Sequence, residues 1–187
     1  MGNGLDNNWY LDGNNASVVS SDGNKTTVQM GSGYRGDLWL ARSGKGKIVN
    51  VTPADYRYFA IKVGFKSQLV PGKNKPNGCI KLEIFDDGIK KIGPEYFGTG
   101  GDANNRYEIL GASEISTTEP NVLYYDLQSK YKTVTPDWNQ VFDLVQCKFV
   151  IADFPETAQT YDLYWIRSFK SIEELQAFVD SENNTNE

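Results

Sequence analysis

The chain has 187 residues, a formal net charge of −5 and 13% aromatic residues, which predicts one acidic domain able to bury a core. It has no histidine, which excludes Ser-His-Asp and Cys-His catalysis and histidine-ligated zinc. It also has no basic stripe and no run of about 18 apolar residues, which argues against a nucleic-acid partner and a membrane span.

The start of the chain bears on localisation. Its first residues, Met-Gly-Asn-Gly-Leu-Asp, contain no hydrophobic signal region. The protein is then either cytoplasmic or part of a longer secreted chain. We expect the second, with an extracellular or cell-surface location and neighbouring domains of that longer chain as partners.

Short strands separated by turns follow a polar N-terminal segment, residues 1–9. The runs SVVS, KTTVQM, DLWLAR and KIVNV have the length and alternation of β-strands. The turn Ser21-Asp22-Gly23-Asn24 separates the first two runs, which predicts a hairpin over 17–30. We expect residues 10–179 to form a single domain, an all-β antiparallel sandwich with a short C-terminal helix.

The segment Gly31-Ser32-Gly33-Tyr34-Arg35-Gly36 has the glycine spacing of a dinucleotide-binding loop. Such a loop needs a helix after it, because the helix N-terminus faces the phosphates. Here DLWLAR follows, and it alternates with the period of a strand. The segment is therefore predicted to be a tight connection between strands, with Tyr34 and Arg35 at its tip.

RYFAIKVGF, residues 57–65, is a clear half-buried strand. Its apolar residues alternate with polar or small ones, and they are predicted to face the core: Phe59, Ile61, Val63 and Phe65. The two cysteines differ in setting, since Cys79 lies on a polar face and Cys147 on an apolar one. Because no C-x-x-C spacing is present either, we expect two unpaired thiols.

The last part of the chain predicts loops, strands and a helix. Residues 88–121 predict long loops with one or two short strands near 106–110. VLYYDL, VFDLVQCKFVIADF and YDLYWIRSF are predicted strands, and Trp165 on the last is expected in the core. Ser171 and Glu174 form a capping box, which predicts a helix of about eight residues and then a disordered tail over 180–187.

Carboxylates are plentiful, and a glycosidase needs two of them. The candidates are Asp126, Asp143, Asp153 and Asp162. No pattern pairs them, so we expect no enzyme. Four further carboxylates lie in oxygen-rich loops of the kind that hold structural calcium: Asp6, Asp12, Asp22 and Asp87. Ordinary turns explain them better, and no cofactor is expected.

Recognition of sugars is the alternative chemistry, because sugar rings stack on aromatic faces and sugar hydroxyls bond planar polar groups. Trp39 alternates away from Leu38 and Leu40, which predicts that it faces outward. The predicted carbohydrate-binding residues are Trp39, Tyr34, Trp138, Arg42, Asp37 and Trp9. Tyr96, Arg35 and Asn139 are further candidates. In this hypothesis Trp39 and Tyr34 stack on sugar rings while Arg42 and Asp37 bind hydroxyls.

Four stretches together resemble galactose-binding-like jelly-roll domains: the Asp/Asn-Trp start, YFAIKV (58–63), YYDL (124–127) and YDLYWIRSFKS (161–171). Such domains occur in secreted and surface proteins of gut Bacteroides, and some accompany xylanases. The resemblance covers roughly residues 10–179 and implies an eight-to-ten-stranded sandwich that binds carbohydrate without catalysis. Many such modules place an Asp near a metal where this chain has Tyr164, a departure that argues against calcium.

Three functions stay open at this point. The leading hypothesis is a non-catalytic module that binds a plant or host polysaccharide, with xylan preferred, and it predicts exposed aromatics on one sheet face or in one cleft. The second is a structural or protein-docking sandwich without a glycan site, which predicts that Trp9, Trp39 and Trp138 are buried or scattered. The third is a small glycoside hydrolase, which predicts two carboxylates in a pocket.

Overall fold

A computed structural model describes residues 10–31, 35–41, 49–52, 54–66, 80–85, 109–128, 142–144, 146–152 and 159–185. These residues form eleven strands and one helix. In chain order they are β1 (Asp12–Asn14), β2 (Ala16–Ser21), β3 (Thr26–Met30), β4 (Arg35–Ala41), β5 (Val49–Val51), β6 (Tyr58–Phe65), β7 (Ile80–Phe85), β8 (Asn121–Asp126), β9 (Phe142–Leu144), β10 (Gln146–Ala152), β11 (Gln159–Phe169) and α1 (Ile172–Thr185).

Nine of these strands form two antiparallel sheets. Sheet A has the order β1-β4-β10-β7, and sheet B has the order β2-β3-β11-β6-β8, while β5 and β9 form a separate pair. The chain moves repeatedly from one sheet to the other along its length, which is the connection pattern of a jelly roll. The predicted class, an antiparallel β-sandwich with a C-terminal helix, is confirmed. The predicted hairpin is confirmed too, as the β2–β3 pair.

The main core lies between the two sheets, because each sheet turns its alternating apolar residues toward the other. The predicted inward residues of β6 are all buried: Phe59, Ile61, Val63 and Phe65. Phe149 of sheet A and Tyr161 of sheet B meet with ring centroids 5.4 Å apart. Cys147 lies in this core as a free thiol, and burial raises its pKa. Cys79 is outside the described residues.

The glycine-rich segment is part of a corner between the sheets. It falls between β3 of sheet B and β4 of sheet A, so the predicted connection between strands is confirmed, but Arg35, expected at its tip, is the first residue of β4, and Tyr34 lies outside the described residues. Beside it, Asn15 joins β1 to β2 with φ of 55°, and its Nδ2 donates to the Arg35 carbonyl at 2.9 Å. A Cβ on Gly31 would lie 2.1 Å from Asn15 Oδ1. A side chain at position 31 would therefore displace Asn15, which is held by its bond to the Arg35 carbonyl.

A second apolar cluster lies on the outer face of sheet B, under α1. Ala60, Trp165, Phe169 and Leu175 are buried in it. The expectation that Trp165 lies in the core is confirmed, and the part of the core that holds it is this second cluster. The register shifts between Leu163, opposite Val63, and Trp165, opposite Lys62. This bulge adds one residue and turns Trp165 to the outer face, under the helix.

Helix α1 is longer than the predicted eight residues. Its N-terminus has the predicted capping box, with the Glu174 amide donating to Ser171 Oγ at 3.2 Å and the Lys170 amide to the Glu174 carboxylate at 2.7 Å. The helix then runs 14 residues, to Thr185. Residues 180–185, predicted to be disordered, are therefore helical, and Glu182 ties this end to sheet B. The described part of 88–121 is residues 109–121, in which Leu110 forms an isolated bridge with Tyr124 and Asn121 begins β8.

Within the described residues, no helix is both long enough and apolar enough to cross a membrane.

Candidate functional site

Strand β4 places polar and aromatic side chains on the outer face of sheet A. Leu38 and Leu40 are fully buried in the core, so their neighbours Asp37 and Trp39 point to the opposite face. The register puts Asp12 of β1 on one side of Trp39 and Lys148 of β10 on the other. These three residues form a row across three adjacent strands, which we call the Trp39 row.

Contacts within the Trp39 row fix its polar groups around one aromatic ring. Lys148 Nζ lies 4.6 Å from the centroid of the half-buried Trp39 ring, a distance suited to cation–π attraction. On the other side, the Tyr10 hydroxyl donates to Asp12 Oδ2 at 2.9 Å. Asp12 and its neighbour Asn14 are exposed. The row therefore offers one aromatic surface with an ammonium and a carboxylate on either side.

Asp37 lies next to this row and is 5% exposed. Its carboxylate accepts from Arg35 Nη2 at 2.9 Å and from Lys148 Nζ at 3.3 Å. A carboxylate this buried needs such charged donors, because an unpaired buried charge is costly. Asp37 thus holds Lys148 beside Trp39 and is itself largely screened from solvent.

The outer face of sheet A is exposed to solvent on the β1 side and buried where Asp37 of β4 pairs with Val150 of β10. Val150 is opposite Asp37 in the register and on the same face, yet it has 0% exposure. Asp37 and Val150 are both buried, whereas Asp12 and Asn14 are exposed. A ligand would therefore reach this face around Trp39 and β1.

The structure brings two of the six predicted site residues together, Trp39 and Asp37. The other four lie outside the described residues: Trp9, Tyr34, Arg42 and Trp138. Sequence reasoning missed Tyr10, Asp12 and Lys148 as site residues. The signal for Lys148 was present, since it is a lone charge between the buried Cys147 and Phe149, and such a residue on a strand points outward.

Comparison with known proteins places the chain in a family. The model of a family described as "Domain of unknown function (DUF4979)" matches residues 3–175. The chain belongs to this family. A search of curated proteins gave no match.

One similar solved structure is reported as "Structural basis for the promiscuous specificity of the carbohydrate-binding modules from the beta-sandwich super family". It aligns with a TM-score of 0.45 and 13% identity, over 90% of this chain and 58% of that one. The chain thus spans less than two thirds of the length of that structure.

Two of the carboxylates considered for catalysis are ion-paired in this member of the DUF4979 family. Asp126 accepts two bonds from Arg57, at 2.7 and 2.6 Å. Asp162 accepts from Lys25 Nζ and Thr27 Oγ1, each at 2.7 Å. Burial alone raises the pKa of Asp162, but these two bonds outweigh it and hold that pKa below its ordinary value. A general acid needs the opposite shift.

Of the remaining catalytic candidates, Asp143 lies in β9, but its side chain is outside the described part of the structure, and Asp153 is not among the described residues. Of the calcium candidates, Asp22 accepts from the amides of Asn24 and Lys25, at 2.9 and 3.0 Å, as an ordinary turn does. Asp6 and Asp87 lie outside the described residues. In the part of the chain that is described, no group of three or more Asp, Glu, Cys or His side chains is arranged to hold a metal ion.

Proposed function

We propose that this domain is a non-catalytic carbohydrate-binding module whose binding surface is the Trp39 row. The observation that carries the proposal is the placement of Trp39 on the outer face of sheet A with Asp12 and Lys148 on its two sides in register. An aromatic surface bordered by charged hydrogen-bonding groups is the arrangement that a sugar ring requires.

The chemistry follows from the two kinds of surface on a sugar, its apolar C–H face and its hydroxyl groups. The C–H face of a pyranose packs on the accessible part of the Trp39 ring and removes apolar surface from water. Hydroxyl groups at the edge of the same ring donate to the exposed Asp12 carboxylate and accept from Lys148. Because Lys148 is already held by Asp37 at 3.3 Å, it needs little ordering when the sugar binds.

A neutral polysaccharide is the ligand class we propose, with a xylan-like plant polymer preferred. We also propose that the domain acts outside the cell, within a larger protein that degrades or captures such polymers, as in the Bacteroides proteins that it resembles. The Lys25 ion pair of Asp162 supports a non-catalytic role for that carboxylate, because its lowered pKa makes it a poor proton donor.

Affinity gel electrophoresis against xylans, glucans, mannans and pectins tests the proposal. We expect one class of polymer to retard the protein, and Trp39→Ala to weaken binding roughly tenfold or more through lost stacking. Tyr56→Ala is the matched control, because Tyr56 is an exposed aromatic with Lys170 Nζ 5.6 Å from its ring centroid. Equal retardation of the wild type and a folded Trp39→Ala variant would show that Trp39 does not bind the glycan.

The structural or protein-docking function has its own supporting observation. Strand β2 is an edge strand of sheet B, carries no charged residue, and exposes Val18 and Val19 by 37% and 61%. Uncharged edges of this kind are available for pairing with another chain. If no polymer retards the protein, this alternative becomes the better one, and the β2 variant Val19→Lys should then abolish association with a neighbouring domain.

A further inference from the structure

A groove of about 1050 Å³ lies on the face of the sandwich opposite the Trp39 row. Its floor is the outer face of sheet B, with Tyr164 and Lys62. One wall is the C-terminal half of α1, and the opposite rim includes Glu119. Asn24 of the β2–β3 turn also lines it. The volume is slightly above the usual range for ligand sites, about 300–1,000 Å³, so the groove has room for more than a single sugar.

Strand β11 places two adjacent aromatic residues, Tyr164 and Trp165, in the lining of this groove. Because of the extra residue, Trp165 turns under the helix while Tyr164 remains half-buried beside it. A Cβ on Gly64 would lie 3.3 Å from Tyr164 Cε2, so the Tyr164 ring rests against that glycine. Lys62 Nζ lies 5.6 Å from the ring centroid. Tyr164 faces the groove by ordinary alternation, because its neighbour Leu163 is buried in the main core, and the bulge adds Trp165 to the same outer face.

One carboxylate links the two sides of the groove in addition to the apolar packing of α1 on sheet B. Glu182 Oε2 accepts from Trp165 Nε1 at 3.0 Å and from Lys62 Nζ at 2.9 Å, which joins the end of α1 to sheet B. The wall of the groove is therefore fixed before any ligand arrives, and a preorganised wall lowers the entropic cost of binding.

The polar groups of the lining favour a neutral ligand rich in hydroxyls. Lys62 is the one cation that lines the groove among the described residues, and it is paired with Glu182, so the lining has no charge left for an anion. Glu119, Asn24 and Asn183 are exposed at the rim and carry the carboxylate and amide groups that bond hydroxyls. An aromatic floor with such a rim suits a pyranose ring.

We infer that this groove is a second saccharide-binding site, which takes a neutral oligosaccharide stacked on Tyr164. The inference rests on the proposed function for the class of ligand and uses a different surface. The two sites lie on opposite faces of the sandwich, so one domain would bind two separate glycan chains. Such bivalent binding raises the avidity for a polymer without new contacts at either site.

Amide NMR of the full chain, titrated with xylohexaose, cellohexaose and mannohexaose, tests the inference. We expect saturable shifts in the amides of Asn24, Lys62, Tyr164 and Val179 with at least one of these sugars. Tyr164→Ala should weaken these shifts roughly tenfold or more, and Tyr164→Phe, which keeps the ring, should retain them. If Tyr164→Ala does not fold, the rim variant Glu119→Ala with Asn183→Ala provides the same test.

The two proposals separate in this titration. Shifts confined to Asp12, Trp39 and Lys148 would support the Trp39 row and overturn the groove. Shifts confined to the groove that persist in Trp39→Ala would support the groove and overturn the Trp39 row. No saturable shift at the groove with any of the three sugars, or groove shifts that Tyr164→Ala leaves unchanged, would overturn the second site.

Discussion

Asp162 shows how a single buried carboxylate on this sandwich depends on its donors. It is 5% exposed, and its pKa is held low because the hydrogen bonds from Lys25 and Thr27 outweigh the effect of burial. Its partner Lys25 has a raised pKa, chiefly through its hydrogen bond to Asp162. Each group therefore favours its charged form in the folded state, and the pair stabilises the fold only while both are ionised.

The first prediction concerns acid stability. Because the pKa of Asp162 is lower in the folded chain, its contribution is present above the ordinary value of 3.8 and is lost as the pH falls through the folded pKa. We expect Asp162→Asn to reduce the free energy of unfolding at neutral pH by about 1–2 kcal/mol. The variant should also lose stability less steeply below about pH 4, as measured by urea unfolding.

Thr27→Val is the matched variant for this prediction. It keeps the Lys25 pair and removes the hydroxyl donor at nearly constant volume, so its acid sensitivity should lie between those of the wild type and Asp162→Asn. If the free energy of unfolding of Asp162→Asn falls below pH 4 as steeply as that of the wild type, another group is responsible for the pH dependence.

Two glycines with positive φ make a second test at the scale of residues. Gly23 has φ of 84° and nothing within 4 Å of an added Cβ, whereas Gly111 has φ of 101° and a Cβ there would lie 2.2 Å from the Val122 carbonyl oxygen. Gly23→Ala should cost about 1 kcal/mol of backbone strain. Gly111→Ala should cost about 2–5 kcal/mol, because strain and backbone collision add.

The measurement is thermal or urea unfolding of both glycine variants under one condition. The backbone collision would also disturb the paired hydrogen bonds between Leu110 and Tyr124, at 2.9 and 3.0 Å, next to Gly111. Equal stability of the two variants would show that the segment around Gly111 yields without cost.

At the scale of elements, sequence patterns predict the features that depend on residues close together in the chain. The alternation of β6, the Asp22–Lys25 turn and the Ser171 cap each depend on residues close in sequence, and the structure has all three. The bulge in β11 has no such signature, since one extra residue changes the face of everything after it. That is why Trp165 lies under the helix. Tyr164 faces outward by alternation alone, but the groove beside it forms only when α1 packs on sheet B.

The length of α1 was also beyond local reasoning. The sequence after Val179 is polar, DSENNTNE, and helix propensity alone does not hold such an end in place. The structure extends the helix because Glu182 reaches Trp165 and Lys62 on sheet B. Those two partners precede Glu182 by 17 and 120 residues, so the contact depends on the completed fold.

Glu182 therefore gives a prediction about the helix. Glu182→Ala should lower the free energy of unfolding by about 2–3 kcal/mol, because the half-buried Lys62 and the buried Trp165 N–H both lose an acceptor. Glu182→Gln keeps an acceptor for Trp165 and should lose less. Asn184→Ala, an exposed change on the same turn of the helix, is the control. Urea unfolding, monitored by tryptophan fluorescence, gives the free energy of unfolding of the three variants and so ranks their stability.

At the scale of the whole molecule, the candidate site depends on strand register. Alternation in β4 alone predicts that Trp39 and Asp37 share a face. Joining them to Asp12 and Lys148 requires the pairing of β4 with β1 and β10, across sequence separations of 27 and 109 residues. A single sequence does not give that register, so two of the three residues of the Trp39 row, Asp12 and Lys148, join it only in the assembled sheet.

The two apolar clusters also divide the molecule into layers of unequal stability. The main core joins both sheets, whereas the outer cluster under α1 buries four residues among the described ones. Strand β11 lies at the centre of sheet B, between β3 and β6. Hydrogen exchange should therefore show the β11 amides opening only with global unfolding, and the amides of α1 opening at a lower free energy.

Ile151→Val separates these two modes of opening. Ile151 is 1% exposed in the main core, so the change should lower the global free energy of unfolding by about 1 kcal/mol and speed β11 exchange roughly fivefold. The contacts of Ile151 stay intact when only the helix opens, so exchange in α1 should not change. Glu182→Ala should instead speed exchange in both elements, because its contacts are lost in either opening.

If Ile151→Val accelerates exchange in α1 as much as in β11, the helix opens only when the whole sandwich unfolds. The wall of the groove on sheet B would then be as rigid as the core.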